Sequence, residues 1–274
     1  MLEDVKKVDS LKLKSLFWNI NGRWRFLKDN QIVKWINNFE IIFISETNFT
    51  KGQIFEIPGY KVFHNSFSTV SDSFPRWGIS CFIKQSIVQH IDQVNTDHEN
   101  HIVITFKGGH KLFGSYIPPS DSIYFSDEYL YGIPNFLTPV DTDKIVIGGG
   151  DLNSRIGSYS IPPPSSGEYR DNPDSEKNSN GRQLSLILKS FHAYTLNNLT
   201  NMNKVFDGDF TFHKADRKSQ NDIIICNLAG LNSCESLDII NIPFNFSDHK
   251  PVSVTFNLQI DIDNSFKSDF HGFI

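Results

Sequence analysis

The stretch Ile147-Gly148-Gly149-Gly150-Asp151-Leu152-Asn153 runs from an apolar segment through three glycines into an Asp-x-Asn triplet. The apolar part predicts a strand over 144–147. The glycines leave room for a substrate to approach the backbone. Asp151 and Asn153 follow directly, placed to bracket a water and a phosphate oxygen. No Gly-Lys-Ser/Thr follows, which excludes a nucleotide-binding phosphate loop. Taken alone, the same residues also describe a glycine-rich turn with an Asx cap.

Four other stretches repeat the arrangement. Trp18-Asn19-Ile20-Asn21-Gly22 closes a strand predicted over 13–18, with two amides on alternate positions. Ile44-Ser45-Glu46-Thr47 ends a strand over 41–45 in a carboxylate, a placement suited to a hard cation. Ser219-Gln220-Asn221-Asp222 opens a strand over 222–226. Ser247-Asp248-His249 stands just before Pro251 and a strand over 252–258. A buried carboxylate facing such a histidine fixes its tautomer and stabilises its imidazolium. Each cluster alone is an ordinary turn; five clusters, each at or beside a strand end, mark one shared edge.

Further strands are predicted over 79–83, 102–106, 112–116 and 210–212, and helices over 29–39, 127–136 and 183–191. Pro134 limits the second of these helices. Many strands with few helices imply two packed sheets flanked by helices. Residues 158–180, with Pro162, Pro163 and Pro164 and a polar run, predict a mobile excursion inside one domain over 11–260. Tails are expected at 1–10 and 261–274.

With 274 residues, 39% of them hydrophobic and 24 of them Phe, the chain has the material for a large aromatic core. A net charge of −5 excludes a general polycation, so any contact with phosphates falls to local patches. Cys81, Cys226 and Cys234 have no zinc spacing and read as reduced core thiols. No secretory signal or membrane span is present, so an intracellular protein without membrane contact is expected.

In this order the motifs resemble the endonuclease/exonuclease/phosphatase superfamily: Trp18-Asn19-Ile20-Asn21-Gly22, Ser45-Glu46-Thr47, Tyr116-Ile117-Pro118, Gly150-Asp151-Leu152-Asn153, Phe210-Thr211-Phe212, Ser219-Gln220-Asn221-Asp222 and Ser247-Asp248-His249. The AP-endonuclease-like endonuclease domain of LINE-type (non-LTR) retrotransposons is the nearest branch. Its likeness extends to Arg170-Asp171-Asn172-Pro173-Asp174, Asn180-Gly181-Arg182-Gln183-Leu184 and Leu196-Asn197-Asn198.

The resemblance implies a deoxyribonuclease I-like, four-layered α/β sandwich with two mainly antiparallel sheets between helices. It implies a Mg²⁺-dependent DNA endonuclease, with Mn²⁺ able to substitute, that nicks double-stranded DNA as in target-primed reverse transcription. By resemblance Glu46, Asn19 and Asp248 belong to the metal site, and Tyr116 contacts the scissile phosphate. Asp151 orients or deprotonates the water, Asn153 holds a phosphate oxygen, and Asp222 orients His249, which stabilises the pentavalent phosphate. Asn21, Thr211 and Ser247 support them. A monomer is expected, nuclear by resemblance, with a reverse-transcriptase domain as neighbour if the chain comes from a longer polyprotein. The alternatives are an AP-site repair endonuclease or another phosphodiesterase of the same fold, and, in another class, an inactive nucleic-acid-binding domain.

Two positions depart from the pattern. Pro119 stands where many relatives have Asn, with Ser120 next to it, and Arg76-Trp77-Gly78 replaces a basic residue and two glycines. DNA contacts are expected from two basic patches: Arg23 and Arg25 beside Trp24, and Lys214, Arg217 and Lys218 in the loop 213–221.

Overall fold

Alternating side chains on the first strand set up the layers. In Lys7–Asn19, Leu13 and Phe17 turn toward one hydrophobic cluster while Leu16 and Trp18 turn toward another. The computed structural model describes residues 7–49, 55–65, 77–137, 143–159, 169–170, 172–201, 204–242 and 246–262.

One six-stranded sheet has the order Cys234–Ile239, Val252–Ile262, Lys7–Asn19, Ile41–Ser45, Ile79–Lys84, Tyr60–Asn65. The other has the order Tyr194–Thr195, Asp222–Cys226, Val146–Asp151, Lys111–Ser115, His101–Phe106, Ile91–Asn95. Each sheet contains one parallel pair, Lys7–Asn19 with Ile41–Ser45 and Lys111–Ser115 with Val146–Asp151; its other pairings are antiparallel. The sheets pack face to face through Phe17, Phe43 and Cys81 from one and Ile104, Ile147 and Ile224 from the other.

Helices cover both outer faces. Asn30–Ile36, capped by the Asp29 carboxylate accepting from Gln31 N at 2.8 Å, lays Ile32 and Ile36 on Leu16, Ile42 and Ile44. Ser179–Ser190, capped by Asn178, lays Leu184 and Leu188 on Val146, Ile223 and Ile225. The result is the expected four-layered α/β sandwich. No helix among the described residues is long and apolar enough to cross a membrane. All three cysteines are buried and unpaired.

Several expectations need correction. The terminal strands reach further than 11 and 260, because Lys7 pairs with Ile262 in one continuous antiparallel ladder. The helix expected over 127–136 breaks into Asp127–Tyr131 and a 3₁₀ turn, Ile133–Asn135, which contains Pro134. The strand expected over 210–212 is instead Phe212–Lys214, paired with Arg217–Ser219, so the basic loop is itself a hairpin. Of the expected excursion, 160–168 and 171 lie outside the described residues. Its last part is tied down, with Asp174 buried and Ser179 opening a helix.

The largest correction concerns the glycines. Gly148, Gly149 and Gly150 lie inside the central strand Val146–Asp151, not in a loop beyond it. A Cβ on Gly149, at φ +149°, would stand 1.9 Å from Ile223 O, and one on Gly148 2.3 Å from Phe113 O. The glycines serve close packing within the sheet rather than the approach of a substrate.

Candidate active site

Both sheets end at the same place. The parallel pair of the first sheet delivers Asn19 and Glu46, and its antiparallel neighbour Val252–Ile262 begins just after His249. The parallel pair of the second sheet delivers Tyr116 and Asp151, and its antiparallel neighbour begins at Asp222, opposite Asp151. Residues up to 230 positions apart in sequence thereby converge.

His249 Nδ1 lies 2.9 Å from Asp222 Oδ2, and its Nε2 lies 3.7 Å from Asp151 Oδ2. All three side chains are buried. Burial opposes charge on His249, but Asp222 and then Asp151 more than offset it, lifting the imidazole to about 10. Burial pushes the Asp151 carboxyl up to about 7; Asp222 and Glu46 add to the rise, while His249 and Asn19 resist it. The second oxygen of Asp222, Oδ1, is buried with no hydrogen-bond partner among the described residues.

One amide joins the carboxylates. Asn19 Nδ2 donates to Glu46 Oε1 at 2.8 Å and to Asp151 Oδ2 at 2.7 Å, and Asn19 Oδ1 accepts from Asn21 N at 2.8 Å. The Tyr116 phenol hydrogen-bonds Glu46; burial, then the charges of Glu46 and Asp151, keep it well above the usual phenol range. Asp248 Oδ1 accepts from Asn21 Nδ2 at 3.0 Å, and its charge adds to the rise on His249. Asn21, Glu46 and Asn153 all hold left-handed backbones, with φ of 47°, 52° and 44°. Such strain is concentrated where geometry is over-determined.

Asp151 and Asp222 thus face His249, Glu46 joins Asp151 through the Asn19 amide, and one oxygen of Asp222 is left without a partner among the described residues. That donor set fits a hard divalent cation. Asp151, Asp222 and His249 also lie close enough to chelate an ion, each offering an atom within 4.8 Å of the others. The hydrogen bond from His249 to Asp222 favours an acid–base pair there, and leaves Glu46 with Asp151 as the better oxygen ligands.

No protein-family model and no curated protein matches the chain. Solved structures do. The endonuclease domain of TRAS1, a telomere-specific non-LTR retrotransposon, aligns with 90% of this chain and 98% of its own, at 19% identity and a TM-score of 0.61. The AP endonuclease LMAP from Leishmania major aligns with 89% of this chain and 87% of its own, at 12% identity and a TM-score of 0.66. An AP endonuclease from Archaeoglobus fulgidus aligns with 89% and 99%, at 18% identity and a TM-score of 0.59. The chain shares the fold of these proteins.

A ring of hydrogen bonds holds the clustered side chains in place. Thr211 Oγ1 accepts from the backbone N–H of Asn221 and of Asp222, each at 3.1 Å. Ser247 Oγ donates to Asn19 O at 2.7 Å and accepts from His249 N at 3.0 Å, clamping two motifs together. Asn153 commits its amide to Ile117 O at 2.9 Å and to Asp151 Oδ2 at 3.3 Å. Ser120, next to Pro119, is exposed.

Sequence reasoning assigned no role to several supports. Asn197 donates to Asp222 O and accepts from Ile224 N, pinning the strand that carries Asp222. Arg155 grips buried Asp174 through two hydrogen bonds, and Asp174 in turn accepts from Gln220 N at 2.9 Å. The Phe212 ring packs against His249 at 5.0 Å. Asn197 and Asp174 stand in stretches that carry the family likeness, which was their only signal.

The basic patches flank this cluster. Lys214, Arg217 and Lys218 are exposed on the hairpin, whose base is fixed to the site by the His213 N–Asp248 O bond at 2.8 Å. Arg23 and Arg25 are exposed beyond Gly22, with the Arg25 guanidinium 5.9 Å from the Trp24 ring.

Proposed function

We propose that the chain is a divalent-metal-dependent DNA endonuclease that nicks one strand of a duplex by hydrolysis. The observation that carries this reading is the Asp222–His249 pair facing Asp151, which Asn19 links to Glu46, at the joined strand ends of the two sheets.

Glu46, with Asp151 beside it, would hold Mg²⁺ or Mn²⁺, with Asn19 aligning both carboxylates and Asp248 acting through Asn21. When bound, the cation supplies Lewis-acid polarisation of the phosphate and a template for it. Asp151 orients the attacking water and accepts its proton. His249 donates from Nε2 to a phosphoryl oxygen as negative charge grows in the pentavalent transition state. Asp222 holds the Nδ1 proton and stabilises the imidazolium. Tyr116, kept protonated, donates to the phosphate, and Asn153 reaches a phosphate oxygen by releasing one of its present acceptors. Arg23, Arg25 and the hairpin cations contact the backbone of double-stranded DNA.

The nick would leave a 3′-hydroxyl for target-primed reverse transcription, in nuclear DNA, with a reverse-transcriptase domain as partner. The likeness to AP endonucleases favours repair of abasic sites as the second reading. Supercoiled plasmid, intact and carrying abasic sites, separates the two with Mg²⁺ and with EDTA. Metal-dependent relaxation of both plasmids supports the first reading. Relaxation of the abasic plasmid alone supports repair, and relaxation of neither by folded protein contradicts both.

A further inference from the structure

Trp77 occupies a backbone position that suits glycine. Its φ is +80°, a left-handed conformation strained for any residue with a Cβ. Asn48 holds it there from both sides: Trp77 N donates to Asn48 Oδ1 at 2.7 Å, and Asn48 N donates to Trp77 O at 2.6 Å. Asn48 stands two residues beyond Glu46 and rests against Gly22, where a Cβ would meet its Nδ2 at 2.4 Å. The strained residue is therefore bolted to two of the site motifs.

Its ring points the same way as the site. The Trp77 indole meets the Tyr124 ring edge-on at 4.3 Å and lies 6.5 Å from the ring of Tyr116. Next to Tyr124, Ile123 is 88% exposed. Two overlapping turns hold it out, through Ser122 N to Pro119 O at 2.9 Å and Phe125 N to Ser122 O at 3.0 Å. Exposed Ile123, next in the chain to Tyr124, and a Trp77 ring held in place against backbone strain together offer apolar surface close to Tyr116. The segment from Pro119 to Tyr124 has no Lys or Arg and carries Asp121, so its partner is not a phosphate.

We propose that Trp77, Tyr124 and Ile123 form an apolar lip that receives the base and sugar of the nucleotide adjoining the phosphate held at Tyr116. This inference rests on the reading of the site as a DNA nuclease. Aromatic faces accept any base by stacking, and an aliphatic side chain wedges between base steps. The lip thus grips the nucleotide next to the reacting one without reading its sequence.

Steady-state plasmid nicking by wild type, Ile123→Ser and Trp77→Gly tests it, together with the fluorescence of 2-aminopurine placed beside the mapped nick. Ile123→Ser alters an exposed side chain and leaves folding intact, while Trp77→Gly suits the local backbone. The lip predicts that each variant raises KM about tenfold, keeps kcat within about threefold, and loses the change in 2-aminopurine fluorescence expected when wild type binds. Wild-type KM and fluorescence in Ile123→Ser, from a preparation whose wild type nicks, overturn the lip and leave the nuclease reading standing. A wild type that nicks nothing contradicts the nuclease reading, and the lip falls with it.

Discussion

Asp222→Asn is the substitution whose effect follows most directly from the geometry. Asp222 faces His249 Nδ1 at 2.9 Å, and both side chains are buried. Burial alone would discourage the imidazolium; Asp222 is the largest influence in the other direction, lifting the group to about 10. Without that charge, His249 returns toward its ordinary 6.5. A group titrating there is about one-tenth protonated at pH 7.5, roughly a tenfold loss of the donor form. Losing a charge-assisted hydrogen bond removes a further ~1.5–3 kcal/mol, about ten- to a hundredfold in rate. The variant should therefore fall ~10²- to 10³-fold in kcat/KM at pH 7.5, with the deficit narrowing toward pH 6. Single-turnover nicking of supercoiled plasmid from pH 6 to 9, at fixed Mg²⁺, measures it. Glu46 and Asp151 are present in both proteins, so at saturating Mg²⁺ the ratio between them is the diagnostic quantity. A loss under threefold, or a deficit independent of pH, would refute the coupling of Asp222 to His249.

Glu46→Gln should abolish most of the thermal stabilisation that Mg²⁺ gives the wild type, which at a hundredfold excess over Kd is ~2.7 kcal/mol; differential scanning calorimetry with and without metal reads it. Arg155→Ala removes the guanidinium from Asp174, which keeps its hydrogen bonds from Gln220 N and Glu176 N, and urea unfolding should show a loss of ~1–3 kcal/mol. Replacing Lys214, Arg217 and Lys218 together by Ala should lower the salt dependence of DNA binding by about two to three in log–log slope. Metal-free wild type should lose stability as pH rises from 6.5 through about 10, because His249 has a higher pKa folded than unfolded. Melting temperatures for wild type and Asp222→Asn across that window should converge at the alkaline end.

Legibility followed burial. The strands Ile41–Ser45 and Asp222–Cys226 stand within the sheets, buried at every position, and their unbroken apolar runs give their bounds in sequence. Tyr60–Asn65, Ile91–Asn95 and Cys234–Ile239 escape such a reading because they are edge strands with mixed exposure. The glycines of Val146–Asp151 resemble a loop in sequence; only the facing carbonyl of Ile223 and the neighbouring Phe113 explain them. Individual candidate residues were visible as polar clusters at strand ends. Their convergence depends on sheet order, which pairs Asp222 with Asp151 and brings His249 to both. Supports such as Asn197 and Asp174 act through backbone groups far away in sequence, and no local pattern announces them.

In the proposed reaction His249, held by Asp222 and facing Asp151, drives metal-dependent cleavage of a DNA strand. Supercoiled-plasmid nicking by wild type and His249→Ala, each with Mg²⁺ and with EDTA, tests it most directly. The account predicts nicked circles from wild type with Mg²⁺ alone, and a loss of at least about a hundredfold in the folded variant. Nicking that persists in His249→Ala at the wild-type rate would contradict it.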